Sequence, residues 1–141
     1  MEEITTYERM QDLKGKPIYS AVFLTPQSTQ ELLNWVQTLG YELLPEIKAH
    51  HMTIEFKPTD VSNLPVGDEV KLIVTGIRTD DKCQAVTVVG VYSTNEHPHI
   101  TVSHTSDVSP KYSNELLLTG ADPVSGPTLT GVIGVFGKTK G

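Results

Sequence analysis

The chain has 141 residues, of which 38% are hydrophobic and 20% charged, with a formal net charge of −6. That composition excludes a disordered or fibrous protein, and the length suits one domain, 1–141, with its own core. An acidic balance without a run of Lys or Arg removes the electrostatic footprint of a protein that grips long duplex nucleic acid, and no apolar stretch approaches the roughly 18 residues that span a bilayer.

Met1-Glu2-Glu3-Ile4 lacks the basic start and apolar core of a signal peptide, so an intracellular, cytoplasmic protein is expected. Residues 1–16 are polar and mixed; they read as an N-terminal arm or as a short helix around Tyr7-Glu8-Arg9-Met10. Ile18 to Leu24, bounded by Pro17 and Pro26, fits a buried first strand. The clearest helix follows, with Ser28 and Glu31 at the spacing of a capping box, Leu32, Leu33, Val36 and Leu39 at helical intervals, and Gly40 as the C-cap glycine. Trp35 lies one residue off that stripe and reads as partial packing. The next strand runs from about Ala49 to Phe56, and the strand–helix–strand length is compatible with a right-handed crossover between parallel strands.

Lys57-Pro58-Thr59-Asp60 and Asn63-Leu64-Pro65-Val66-Gly67 are turn chemistry, which makes 57–67 a loop. Glu69 to Ile77 and Gln84 to Tyr92 form two β-rich runs joined by the polar tip Arg78-Thr79-Asp80-Asp81-Lys82-Cys83, a hairpin whose outer edge must be covered within the chain or by a second copy. The single cysteine, Cys83, rules out an internal disulfide and reads as a strand residue beside a turn. A further strand runs from about His99 to His104. Ser113 to Gly120 predicts one or two helical turns ended by Gly120, and Leu129 to Phe136 a closing strand. The sum is an α+β domain.

Two of these strands carry the same unit, His51-Met52-Thr53 and His99-Ile100-Thr101. In a strand, residues two apart share a face, so each unit offers an imidazole beside a hydroxyl. A neutral imidazole takes a proton from attacking water, a protonated one gives a proton to the departing oxygen, and two threonine hydroxyls hold the non-bridging oxygens of a phosphate. A lone strand histidine is more often a hydrogen-bonded or surface residue; the repeated offset favours chemistry. His50, His97 and His104 bring a rival reading, imidazoles for a transition metal. Against it, His50 and His51 are expected on opposite strand faces, and no H-E-x-x-H pattern is present. Tyr19 and Tyr112 are candidates to stack on a base or bond a phosphate, or they simply pack. Ser113 and Asn114 bind a nucleotide edge or start the short helix.

With those residues in hand, the chain resembles the 2H phosphoesterase superfamily, in which two His-x-Thr/Ser motifs lie on strands. The matching positions are His51 and Thr53, then His99 and Thr101, each motif followed by an apolar residue, Ile54 and Val102. Ala21-Val22-Phe23-Leu24-Thr25-Pro26, His50-His51-Met52-Thr53 and Tyr112-Ser113-Asn114-Glu115-Leu116 are similar to a branch of RNA-repair and tRNA-ligase-like cyclic phosphodiesterases. The resemblance implies a two-lobed fold with antiparallel sheets facing a central groove. It implies metal-independent cleavage, without cofactor, of a 2′,3′-cyclic phosphate, a 2′,5′-linked oligonucleotide or a related cyclic nucleotide. The expected partner is a small nucleotide or an RNA end carrying a cyclic phosphate. His51 and His99 would be catalytic, and Thr53, Thr101, Tyr19 and Tyr112 would bind substrate. The two histidines stand 48 residues apart, closer than is usual in the family, with only a hairpin between them, so one lobe is pared down. Alternatives are viral-type degradation of cyclic oligonucleotide immune signals, a nucleotide-binding sponge without turnover, or a protein-interaction domain in which the histidines are incidental.

Overall fold

The computed structural model describes residues 3–5, 19–56, 65–91, 93–94, 98–109 and 112–138. In chain order the elements are β1 (Glu3–Thr5), β2 (Tyr19–Leu24), α1 (Pro26–Thr38), β3 (Glu46–Ile47), β4 (His51–Phe56), β5 (Glu69–Thr79), β6 (Cys83–Val89), β7 (His99–His104), α2 (Tyr112–Leu116) with a 3₁₀ turn over Leu117–Thr119, β8 (Asp122–Pro123) and β9 (Thr128–Lys138). The expected helix at 7–10 and the loop at 57–64 lie outside the described residues.

Every strand pairing is antiparallel. The order runs β9–β2–β4–β7–β6–β5, and β5 pairs back onto β9, so six strands close into a barrel-like ring. Closure is possible because β9 offers Thr128 to Val132 to β5 on one edge and Gly131 to Phe136 to β2 on the other. The outer edge of the β5–β6 hairpin is therefore covered from within the chain, by β9 and by the short β8.

The parallel crossover expected between β2 and β4 is not formed. The two strands pair antiparallel, with Phe23 across from His51 and Val22 across from Met52. The segment after α1 is long enough to return along the sheet, pairing β3 with β7 on the way, before β4 begins. The helix also starts earlier than the capping-box pattern suggests. Thr25 is the N-cap, accepting from the Ser28 amide at 3.2 Å, and Pro26 sits in the first turn, where its missing N–H costs nothing. Ser28 is instead buried, and its hydroxyl accepts the Thr130 amide of β9 at 2.7 Å. Gly40, at φ +93°, follows the helix and donates its amide to Gln37 O at 3.0 Å, the left-handed cap expected of it.

One face of the ring carries the core. Val22, Met52, Ile100, Val86, Leu72 and Leu129 are fully buried there, and α1 packs Leu32 and Val36 onto the same cluster, with Trp35 partly buried at its margin. Each large side chain so buried contributes about 1.5–3 kcal/mol of transfer free energy. A second, smaller cluster of Cys83, Ala85, Leu116 and Leu117 fastens α2 to β6. At the hairpin tip, Asp80 Oδ1 accepts the amides of Lys82 and Cys83, both at 2.8 Å, which fixes the turn that the polar sequence predicts.

Candidate active site

Met52 of β4 and Ile100 of β7 are cross-strand partners, and both are fully buried in the core. Strand alternation then sends their neighbours to the other face: His51 and Thr53 from β4, His99 and Thr101 from β7. The two His-x-Thr units thus share one face along the β4–β7 seam. His99 is 9% exposed, whereas His51 and Thr53 are partly open.

The imidazole of His51 stands in an aromatic row. The ring of Tyr19 stacks on it with centroids 4.8 Å apart, and Phe136 stacks on Tyr19 at 5.0 Å. Because β2 lies between β9 and β4, these neighbours cover Tyr19 from opposite sides. Tyr19, a candidate platform for a base, is thereby a member of the stack that supports His51. Phe23 packs against both His51, at 5.8 Å, and His50, at 5.5 Å edge-on. Burial is the largest influence on His51, with adverse contributions from His50 and His99, and together they hold its pKa down to about 4. His51 is therefore a neutral imidazole around neutral pH, and the effect of His99 upon it reflects how close the motifs lie.

His50 departs from the expectation that it faces away from His51. Between Ile47, which pairs with Ser103, and Met52, which pairs with Ile100, the chain advances five residues while β7 advances three. The surplus is absorbed at Ala49, the only non-glycine residue with positive φ among those described, at +51°. Simple alternation fails across such a bulge. The result is an Nδ1···Nδ1 hydrogen bond of 3.0 Å between His50 and His51. His50 is exposed, and burial together with the Lys48 ammonium lowers its pKa too.

On the β7 side, Thr101 Oγ1 and Ser113 Oγ share a hydrogen bond of 2.7 Å, and Ser113 also meets Cys83 Sγ at 3.3 Å. Ser113 is completely buried, so it ties the second motif to α2, and a surface role for it at a nucleotide edge is replaced by an internal one. Burial raises the Cys83 thiol, consistent with an unreactive packing residue. Tyr112, at the start of α2, donates its hydroxyl to Asp80 Oδ2 at 2.7 Å, and this carboxylate pushes the phenol up to about 12. On Asp80 itself, burial works upward but is outweighed by hydrogen bonds from Tyr112 and from the Lys82 and Cys83 amides, so its pKa is lowered. Tyr112 thus fastens α2 to the hairpin tip.

Among the described residues, no group of three or more His, Cys, Asp and Glu side chains is placed to hold a metal ion. A separate cleft at the start of α1, lined by Thr25, Gln27, Ser28, Glu69, Lys71 and Thr130, contains none of the motif residues. Among the described residues, no helix is long and apolar enough to cross a membrane.

Residues 41–130 match the family model of the fungal tRNA ligase phosphodiesterase domain. The chain belongs to that family. The match takes in both His-x-Thr motifs, the hairpin between them and α2, and it places the chain in the RNA-repair branch of the 2H phosphoesterases. A search of curated proteins found no match. Within the tRNA ligase phosphodiesterase family the sequence of this chain already pointed to its motif pairs. It concealed the contact of His50 with His51, which depends on a bulge, and the place of Phe136 in the aromatic row, which depends on ring closure by β9.

Proposed function

We propose that the protein is a metal-independent phosphodiesterase that hydrolyses a cyclic or 2′-linked nucleotide phosphodiester, with a 2′,3′-cyclic phosphate at an RNA or nucleotide end as the favoured substrate. The observation that carries this reading is the Met52–Ile100 pairing, which turns both His-x-Thr units to one face. A phosphate over the β4–β7 seam would lie in a groove flanked by Tyr19 and Phe23 of β2 on one side and by α2 on the other. One of the pair His51 and His99 takes the proton of the attacking water as its oxygen bonds to phosphorus. The other gives a proton to the ribose oxygen as the P–O bond to it breaks, leaving a phosphomonoester and a free hydroxyl. Thr53 and Thr101 offer hydroxyls to the non-bridging oxygens, where charge grows in the transition state. The net charge of −6 suits a ligand held by a local pocket rather than a long polyanion.

The test is incubation with 2′,3′-cyclic nucleotides, 2′,5′-linked oligoadenylates and cyclic dinucleotides in the presence of EDTA. Cyclic phosphates are opened by the wild type, and His51→Ala and His99→Ala each lose on the order of 10²–10⁴-fold in rate. Conversion abolished by EDTA, or unchanged in both variants, refutes the two-histidine reading. Tight binding without conversion identifies a sponge, and turnover confined to cyclic dinucleotides identifies an enzyme acting on signals.

A further inference from the structure

We propose that His50 is a positioning residue of the same site: its Nδ1 accepts the Nδ1–H of His51, which leaves the Nε2 lone pair of His51 as the general base and assigns His99 the role of acid. This rests on the phosphodiesterase reading for its catalytic meaning, though not for its geometry.

Three observations carry it. The 3.0 Å Nδ1···Nδ1 contact holds one proton when both rings are neutral, so whichever ring donates there must present a bare Nε2 on its far side. His50 is the exposed member, and an imidazole in water prefers its proton on Nε2, which leaves its Nδ1 an acceptor. The backbone that brings His50 round is built for the purpose. Ala49 holds a left-handed conformation that an alanine rarely adopts, and it is fixed from two sides, by the Thr29 hydroxyl of α1 on its carbonyl at 2.8 Å and by its own amide on Thr101 O of β7 at 2.8 Å. The next carbonyl, that of His50, accepts the Leu24 amide at 2.9 Å. Strain of this kind persists only where the surroundings over-determine it, and here it aims one imidazole at a motif histidine.

The consequence is a histidine pair in which a neutral acceptor orients the base. When His51 takes the proton of water through Nε2, its Nδ1–H stays bonded to His50, now as a charge-assisted hydrogen bond. The groups facing His51 are Tyr19 and Phe23 from β2, His50 ahead of β4 and His99 from β7, while the Lys48 ammonium acts on His50. None of these neighbours is a carboxylate, so His51 works as a weak base over an unusually acidic range.

Two measurements test this. Two-bond ¹H–¹⁵N spectra of the ¹⁵N-histidine-labelled protein at pH 7 should show His51 protonated on Nδ1 and bare on Nε2; a His51 protonated on Nε2 overturns the proposal and leaves the phosphodiesterase reading standing. In steady-state kinetics with a 2′,3′-cyclic nucleotide, His50→Ala should lower kcat about tenfold or more with KM little changed, and His50→Asn, whose Oδ1 can take the place of Nδ1, should recover most of it. His50→Asp should move the acidic limb of the kcat/KM profile upward by raising the basicity of His51. A His50→Ala enzyme with unaltered kcat and pH profile overturns the proposal, as does a His50→Asp profile that does not move. If the wild type opens no substrate at all, the phosphodiesterase reading falls while the NMR result still decides the proton's position.

Discussion

His51 carries a thermodynamic signature as well as a chemical one. Its pKa is near 6.5 in an unfolded chain and about 4 in the folded protein, so between those values the unfolded state binds a proton that the native state refuses. Stability is therefore full above about pH 6.5 and falls as the pH drops toward 4, by up to about 3 kcal/mol. Urea unfolding of wild type and His51→Gln at intervals across that range should show the wild type losing stability relative to the variant as the pH falls; parallel curves would mean that His51 titrates normally in the native state. At this scale the sequence was a good guide to which side chains share a strand face and a poor one to what they touch. His51, Thr53, His99 and Thr101 were legible because the period of a strand is two and each motif spans one period. His50 was not, since its contact arises where that period is broken at Ala49.

Among the elements, α2 has the least hold of its own: five residues, too short to be stable as an isolated helix. It is kept in place by Leu116 against Cys83 and Ala85, by Tyr112 on Asp80, and by Ser113 on Thr101. Ser113→Ala removes the buried hydroxyl that bonds Thr101 Oγ1 and Cys83 Sγ and should cost about 0.5–1.5 kcal/mol in denaturant unfolding, a loss that Ser113→Cys, with its weaker donor, repairs only in part. An unchanged midpoint for Ser113→Ala would show that the hydroxyl pair adds nothing to stability. The presence of α2 followed from Leu116, Leu117 and the stop at Gly120, and its partner on β7 did not, because no local pattern records which strand a helix will face. The start of α1 shows the same limit. Ser28 and Glu31 imitate a capping box, but Pro26 can begin a helix one turn earlier and β9 claims the Ser28 hydroxyl.

For the molecule as a whole, the closing strand decides the architecture. Gly131 and Val132 are paired on both sides of β9, Gly131 with Leu24 of β2 and Val70 of β5. A Cβ at that position would lie 2.4 Å from Val22 Cγ1 and 3.0 Å from Phe23 O. Gly131→Ala should therefore destabilise the protein by about 1–3 kcal/mol, read as a lowered urea midpoint, and wild-type stability in this variant would show that β2 and β9 have room to separate. An α+β class was legible from the strand runs and one strong helix. A ring was not, because closure depends on β5 meeting β9 some 60 residues later, and neither segment signals the other.

That dependence on a late strand has a consequence during synthesis. Until residues 128 to 138 leave the ribosome, β2 and β5 each lack the neighbour that will cover one edge, and the aromatic row that ends in Phe136 is missing its last ring. The nascent chain is an open sheet with two sticky margins for as long as that takes, so its yield in the cell should depend on chaperone supply and on the pace of translation through residues 128 to 138.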